Sequence, residues 1–273
     1  MTGSANGPVG GPGAPAETGK TGDLLIERRG PVLHVTFNRP HARNAMTPGM
    51  YSGLAAALEA ADEDTEVRVS VLRGAGGKAF VAGTDITRFR GFDGDDGVAY
   101  EREVGAILQR ILAVRKPVVA AIDGYCIGGG LSIAACADVR IASPTASFGV
   151  PIARTLGNTL AADTLRRLVT LLGESRAAAM LLTGSTFGAD EAARSGFVWQ
   201  VTEDLDGAVD ELAARIAGLA PLTLWSIKEL LRRGAGSSPV DDDDVLRRVY
   251  GSEDFAGAVD GFLSKTPWTW LGR

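Results

Sequence analysis

The residues with the clearest chemical potential lie in 118–138, VVAAIDGYCIGGGLSIAACAD, where a β-branched run leads into glycines at 124, 128, 129 and 130. This order predicts a strand, a glycine loop and then a helix. Consecutive glycines at a helix start let backbone approach a ligand closely, and first-turn N–H groups have no intrahelical acceptor. Converging on developing negative charge, such groups form an oxyanion hole. A plain tight turn is the other reading of a glycine triplet taken alone. Nucleotide-binding loops fail on spacing: there is no G-x-G-x-x-G, and no Lys-Ser/Thr follows for a P-loop.

Residues 130–134, Gly-Leu-Ser-Ile-Ala, imitate a nucleophile elbow, but no histidine follows the serine: the chain's two are His34 and His41. Ser132 therefore reads as a small polar residue lining a cavity, or as an ordinary helix serine. A second strand–glycine–helix passage, residues 78–85 (KAFVAGTD), supplies backbone donors able to converge with the first. Two histidines leave almost nothing for a zinc site, so no metal is expected.

These passages need elements to position them. Residues 24–28 and 31–37 are strand-like and joined by Arg29-Gly30, a hairpin signal. Residues 47–62 set Met50, Leu54, Leu58 and Ala61 at helical spacing after Thr47-Pro48, an N-cap followed by an N1 proline. Residues 67–72 read as a strand, 92–97 as a loop, 98–114 as a helix and 118–122 as a strand covered on both faces. A short helix over 131–136 and strands at 139–142 and 146–149 follow. Beyond residue 158 helical patterns dominate, with one convincing strand at 197–201. The order predicts an α/β core over 23–200 and a helical region over 201–273. Residues 1–22, mostly Gly, Ala, Pro, Ser and Thr, are expected to be a disordered tail and lack the features of a signal peptide.

With 28 Lys+Arg against 33 Asp+Glu, the 273 residues carry a net charge of −5, which gives no electrostatic footprint for nucleic acid. Hydrophobic residues at 45% exclude disorder of the whole chain. The longest apolar runs, such as 118–122 and 168–172, are too short to span a bilayer, so no membrane partner is expected. Cys126 and Cys136 have apolar neighbours and read as reduced core thiols of a cytoplasmic protein.

Several short segments together carry a family resemblance. They begin with Asn38-Arg39-Pro40, Asn44-Ala45 and Ala79-Phe80-Val81-Ala82-Gly83-Thr84-Asp85-Ile86. Lys116-Pro117-Val118, Gly124-Tyr125-Cys126-Ile127-Gly128-Gly129-Gly130 and Cys136-Ala137-Asp138-Val139-Arg140-Ile141 follow. Phe148-Gly149 and Leu182-Thr183-Gly184 complete the set. In order and spacing the chain resembles the crotonase (enoyl-CoA hydratase/isomerase) superfamily over roughly residues 24–265. The resemblance implies a spiral of ββα turns, assembled as a homotrimer or a dimer of trimers. It implies an acyl-CoA substrate, with coenzyme A entering only as part of that substrate and no separate cofactor. It implies that the N–H groups of Thr84 and Gly129 hold the thioester oxyanion, each such donor typically contributing roughly 3 kcal/mol. The implied CoA contacts are His41, Ala42 and Arg43 together with Ala82, and Lys265 near the CoA phosphates. His41 reads equally as a solvent-facing loop histidine, and Lys265 as a solvated lysine at a helix end.

Two departures from the family pattern stand out. Family hydratases carry one glutamate two residues after the glycine triplet, where this chain has Ser132. A second follows the Phe-Gly-x-Pro segment, where this chain has Ile152 or Ala153. The general acid/base pair that adds water across a double bond is therefore expected to be missing. Three readings stay open. One is a hydratase- or isomerase-type acyl-CoA enzyme with acid/base groups elsewhere, among Asp85, Glu103, Arg154, Asn158 and Asp163. Another is an acyl-CoA decarboxylase or thioester hydrolase in which Arg154 grips a substrate carboxylate. The third is a non-catalytic acyl-CoA-binding protein.

Overall fold

The hairpin expected at Arg29-Gly30 forms, with Gly30 at φ +56°. It opens a computed structural model that describes residues 20–234 and 241–273. The strands in chain order are β1 (Lys20–Thr21), β2 (Leu24–Arg29), β3 (Val32–Phe37), β4 (Val69–Gly74), β5 (Ala79–Ala82) and β6 (Val118–Ile122). They continue as β7 (Tyr125–Ile127), β8 (Val139–Ala142), β9 (Ser147–Gly149), β10 (Thr186–Gly188) and β11 (Gln200–Val201). The larger sheet has the order β1-β2-β3-β4-β6-β8-β11 and the smaller β10-β9-β7-β5. From β4 to β9 consecutive strands alternate between the two sheets, so each turn of the spiral adds one strand to each. Pairing along the growing spiral is parallel.

The helices are α1 (Pro48–Glu63), α2 (Gly94–Ala113), α3 (Gly129–Cys136), α4 (Ile152–Thr155), α5 (Ala162–Leu172) and α6 (Glu174–Thr183). After them come α7 (Ala189–Arg194), α8 (Leu205–Ala217), α9 (Pro221–Arg233), α10 (Asp243–Tyr250) and α11 (Glu253–Ser264). Strand β6 shows why its run has no polar residue. Val118, Ala120 and Ile122 face the main core with Phe37, Phe80 and Phe148. Val119 and Ala121 face the other way, against Val209, Leu212 and Ile216 of α8. Side chains alternate along a strand, and covering both faces demands apolar residues at every position.

Three expectations need correcting. Lys20 and Thr21 pair with Leu25 and Leu24, so the ordered chain begins before the end of the expected tail; backbone pairing requires no apolar pattern. The rest of that tail, residues 1–19, lies outside the described residues. Helix α2 starts at Gly94, inside the segment read as a loop. Asp93 accepts from the Asp95 and Asp96 N–H groups while Asp96 accepts from the Asp93 N–H, a reciprocal cap that turns an acidic, glycine-containing stretch into a helix start. The expected strand at 197–201 is paired only at Gln200–Val201, Phe197 and Val198 being held by core packing instead. Both cysteines are free and buried, and burial pushes the Cys136 thiol up to about 12.

His34 on β3 is buried, and its Nδ1 has no hydrogen-bond partner among the described residues. Burial lowers its pKa from 6.5, and the positive charges of Arg29 and Arg73 lower it further. As pH falls below 6.5, the unfolded chain takes up a proton that the folded one resists, so stability declines toward the folded pKa. Urea midpoints at about pH 7.5 and about pH 5.5 are expected to differ less in His34→Leu than in the wild type.

Candidate active site

Strands β5 and β7 are parallel neighbours with Ala82 opposite Ile127, so the residues that follow each strand leave the sheet side by side. Gly83 (φ +92°) and Gly128 (φ +57°) turn the chain there. A Cβ on Gly128 would lie 3.5 Å from the Gly83 Cα, which measures how closely the two turns approach. After the first turn, the Gly83 carbonyl accepts from the Met46 N–H (2.9 Å) and the Asp85 N–H donates to the Met46 carbonyl (2.9 Å). In this parallel bridge the Thr84 N–H between them faces the opposite way. After the second turn, Gly129 is the first residue of α3, where an N–H has no intrahelical acceptor. Neither the Thr84 nor the Gly129 N–H donates to an acceptor among the described residues.

The space beside Gly129 is occupied by hydroxyls. A Cβ there would lie 2.2 Å from the Tyr51 Oη and 3.1 Å from the Thr84 Oγ1. Tyr51, on α1, links to Thr84 Oγ1 at 3.0 Å, and Thr84 Oγ1 links to the Tyr100 Oη of α2 at 3.0 Å. Two links use two of the three hydroxyl protons, which leaves one O–H to offer elsewhere. Burial drives both phenols above the ordinary tyrosine pKa, so both are neutral near pH 7.

Tyr100 opens onto a cleft of about 920 Å³ between α2 and the 156–161 segment. Its wall is largely apolar: Phe89 stacks edge-on to Tyr100 at 4.9 Å and tilts against Phe92 at 5.3 Å, and Leu156 and Leu160 line the other side. Glu101 stands in this wall, half-buried, its Oε2 accepting the Ala161 N–H at 2.8 Å. Desolvation raises its pKa, partly opposed by that hydrogen bond. The arrangement joins two free N–H donors, through the hydroxyl chain ending at Tyr100, to a large, mostly apolar cleft whose wall carries the carboxyl groups of Glu101, Asp93 and Asp163. Such a set can polarise a carbonyl and move a proton next to it.

Residues 27–270 match the sequence family described as enoyl-CoA hydratase/isomerase. The chain belongs to the enoyl-CoA hydratase/isomerase family. The short-chain-enoyl-CoA hydratase of Clostridium acetobutylicum is 32% identical over 249 residues, which cover 89% of this chain and 95% of that protein. The 2,3-dehydroadipyl-CoA hydratase of Escherichia coli is 31% identical over 266 residues, covering 92% and 99%. An enoyl-CoA hydratase/carnithine racemase structure from Magnetospirillum magneticum has a TM-score of 0.87 at 33% identity, covering 93% and 97% of the two chains. Family membership places the chain among acyl-CoA enzymes of this type, with the spiral fold and C-terminal helices expected of it.

Within this enoyl-CoA hydratase/isomerase frame, the sequence-selected residues are placed unevenly. Thr84 and Gly129 are brought together. His41, Ala42 and Arg43 lie beside Ala82, whose N–H donates to the Arg43 carbonyl at 3.0 Å. Asn44 holds that segment: fully buried, it accepts from the Arg39 N–H and donates to the Ala75 and Ala79 carbonyls. His41 is exposed, and the Arg43 guanidinium lies 5.2 Å from the centre of the Tyr125 ring. Lys265 is the exposed C-cap of α11. Ser132 is buried with its Oγ 3.4 Å from the Gly128 carbonyl, and lines a small pocket with Arg167 that adjoins the cleft, Gly105, Gln109 and Asp163 lining both. Ile152 packs against the core, while Ala153 and Arg154 are exposed and lie outside the cleft lining.

The acid/base candidates are mostly committed elsewhere. Asp85 caps Thr87 and pairs with Arg39 (3.2 Å), Glu103 pairs with Arg88 (3.0 Å), and Asp163 pairs with Arg166 (2.9 Å) at the cleft edge. Asn158 lines the cleft. Sequence reasoning missed Tyr51, Tyr100 and Glu101. Tyr51 sits on the apolar face of α1, where a phenol is an available signal, since a buried tyrosine needs a partner for its hydroxyl. For Glu101 no local signal exists, because its partner lies 60 residues away. Among the described residues no helix is long and apolar enough to cross a membrane, and no group of three or more His, Cys, Asp or Glu is arranged to hold a metal ion.

Proposed function

We propose that this chain is an enoyl-CoA hydratase/isomerase-type enzyme that holds a thioester carbonyl between the N–H groups of Thr84 and Gly129. The observation that carries this reading is the pair of unpartnered N–H groups on adjacent turns, where the two glycine turns touch. Negative charge that develops on the thioester oxygen then meets two donors already in place, with no reorganisation at the moment of reaction. Coenzyme A enters as part of the substrate, along His41, Ala42, Arg43 and Ala82, with Lys265 toward its phosphates and no separate cofactor. The bond between Ala82 and the Arg43 carbonyl supports that placement by joining the two segments. Incubation with a panel of acyl-CoAs, read by mass spectrometry, tests the reading. Product formation from at least one is expected; binding without any turnover would favour a carrier instead.

The same reading limits hydration. Neither Ser132 nor Ile152 offers a carboxylate, so crotonyl-CoA hydration is expected to run about 10²-fold or more slower than in a two-glutamate family member. Loss of enoyl absorbance measures this directly, and equal rates would place the acid/base pair elsewhere. A cytoplasmic homotrimer, or a dimer of trimers, completes the proposal. Large exposed apolar side chains on α6, α10 and α11, Leu182, Tyr250, Phe262 and Leu263, support self-association, which sedimentation velocity reads.

A further inference from the structure

We propose that Glu101 is the catalytic group that exchanges a proton with the carbon next to the thioester carbonyl. This rests on the oxyanion reading above and supplies what the side chains at Ser132, Ile152 and Ala153 lack. Four observations converge on it. Glu101 lies in the wall of the large cleft, next in sequence to Tyr100, whose hydroxyl joins Thr84 Oγ1 at 3.0 Å. Successive residues of a helix point about 100° apart, and here Tyr100 turns toward the donor pair while Glu101 turns toward the 156–161 segment across the cleft.

The Ala161 N–H holds Oε2 at 2.8 Å, which fixes the carboxyl group and leaves Oε1 without a hydrogen-bond partner among the described residues. Among the described residues no cation pairs with it, whereas Asp85, Glu103 and Asp163 each pair with an arginine. Finally, its charge reaches the site: it contributes to the upward shift of both the Tyr51 and Tyr100 phenols. A carboxyl group desolvated by apolar walls is a stronger base than one in water, because burial penalises its charged form and raises its pKa.

The step balances without a co-reactant. One oxygen of ionised Glu101 takes the proton from the α-carbon, and the C–H electron pair moves into the Cα–C bond. The carbonyl π pair moves onto the thioester oxygen, where the Thr84 and Gly129 N–H groups receive the charge. Return of the proton to the same carbon, with the electrons flowing back from oxygen, regenerates substrate and carboxylate. In a β,γ-unsaturated acyl chain, return at the γ-carbon instead yields the conjugated thioester. The Phe89, Phe92 and Leu160 wall suits an acyl group with an apolar or aromatic body.

The test is deuterium exchange at the α-carbon of phenylacetyl-CoA in D2O, read by mass spectrometry. It compares the wild type, Glu101→Gln and Glu101→Asp, with binding of the same thioester measured by calorimetry. Glu101→Gln is expected to slow exchange by about 10²-fold or more while affinity changes little, and Glu101→Asp to retain part of the rate. The wild-type rate should rise with pH around a pKa above the ordinary carboxylate range, and that rise should vanish in Glu101→Gln. Because burial penalises the charged form, the Gln variant should melt no lower than wild type near pH 7, separating lost chemistry from lost fold. Wild-type exchange undiminished by Glu101→Gln would overturn the proposal and leave the oxyanion reading standing. A wild type that binds the thioester but exchanges nothing would also overturn it. Failure of every thioester to bind would instead strike the oxyanion reading on which it rests.

Discussion

Gly129→Pro in a Tyr51→Phe background is expected to turn over acyl-CoA about 10²–10³ more slowly than Gly129→Ala in the same background. Any side chain at this position meets the Tyr51 hydroxyl, because a Cβ would lie 2.2 Å from its oxygen. Removing that oxygen leaves the ring carbon Cζ, at 3.5 Å, as the nearest Tyr51 atom, an ordinary contact. Both double variants then carry the same Cβ, 3.1 Å from the Thr84 Oγ1, which must give by a few tenths of an ångström in either. They differ at the backbone nitrogen: alanine keeps the N–H proposed to meet the thioester oxygen, and proline replaces it with its ring. Proline is also well suited to the first residue of a helix, so α3 should survive, as circular dichroism can verify. Equal steady-state rates in the two variants would remove Gly129 from the oxyanion site. The single variant Gly129→Ala should itself be impaired, and recovery on adding Tyr51→Phe would show that the hydroxyl is the obstacle.

Gly130→Ala is expected to cost about 3 kcal/mol and to lower Tm by about 6 °C or more. Here the obstacle is backbone. A Cβ on Gly130 would lie 2.1 Å from the Val81 carbonyl oxygen and 2.9 Å from its carbon, so either α3 or β5 must move. Val81 is three residues from Thr84, and displacing β5 pulls one donor away from the other. A misplacement of about 1 Å can cost about 10²-fold in rate, so activity should fall in the protein that remains folded. Gly49→Ala on α1 is the control. The nearest atom to its added Cβ is 3.9 Å away, and the change should be neutral or mildly stabilising. Differential scanning calorimetry of the three proteins decides the matter; equal Tm values for Gly130→Ala and wild type would show that α3 and β5 are not in rigid contact.

What the amino-acid sequence determined was whatever depends on near neighbours. The run 118–122, the glycines at 128–130 and the segment 78–85 announced two strand–glycine–helix passages, because turn geometry and first-turn N–H groups are properties of a few consecutive residues. The Ser132 and Ile152 departures were equally visible, since they needed only a count from the glycine triplet and from Phe148-Gly149. The start of α2 was misread because acidic and glycine residues suit both a loop and a capped helix, and the reciprocal Asp93–Asp96 bonds exist only once the turn has formed. Tertiary structure alone decided that β5 lies beside β7 in a register that sets Thr84 next to Gly129. It also brought the hydroxyls of Tyr51 and Tyr100 to Thr84 across 33 and 16 residues, and placed Glu101 against Ala161 across 60. Those pairings depend on how the spiral stacks its turns, a balance of packing over the whole core that no window of sequence contains.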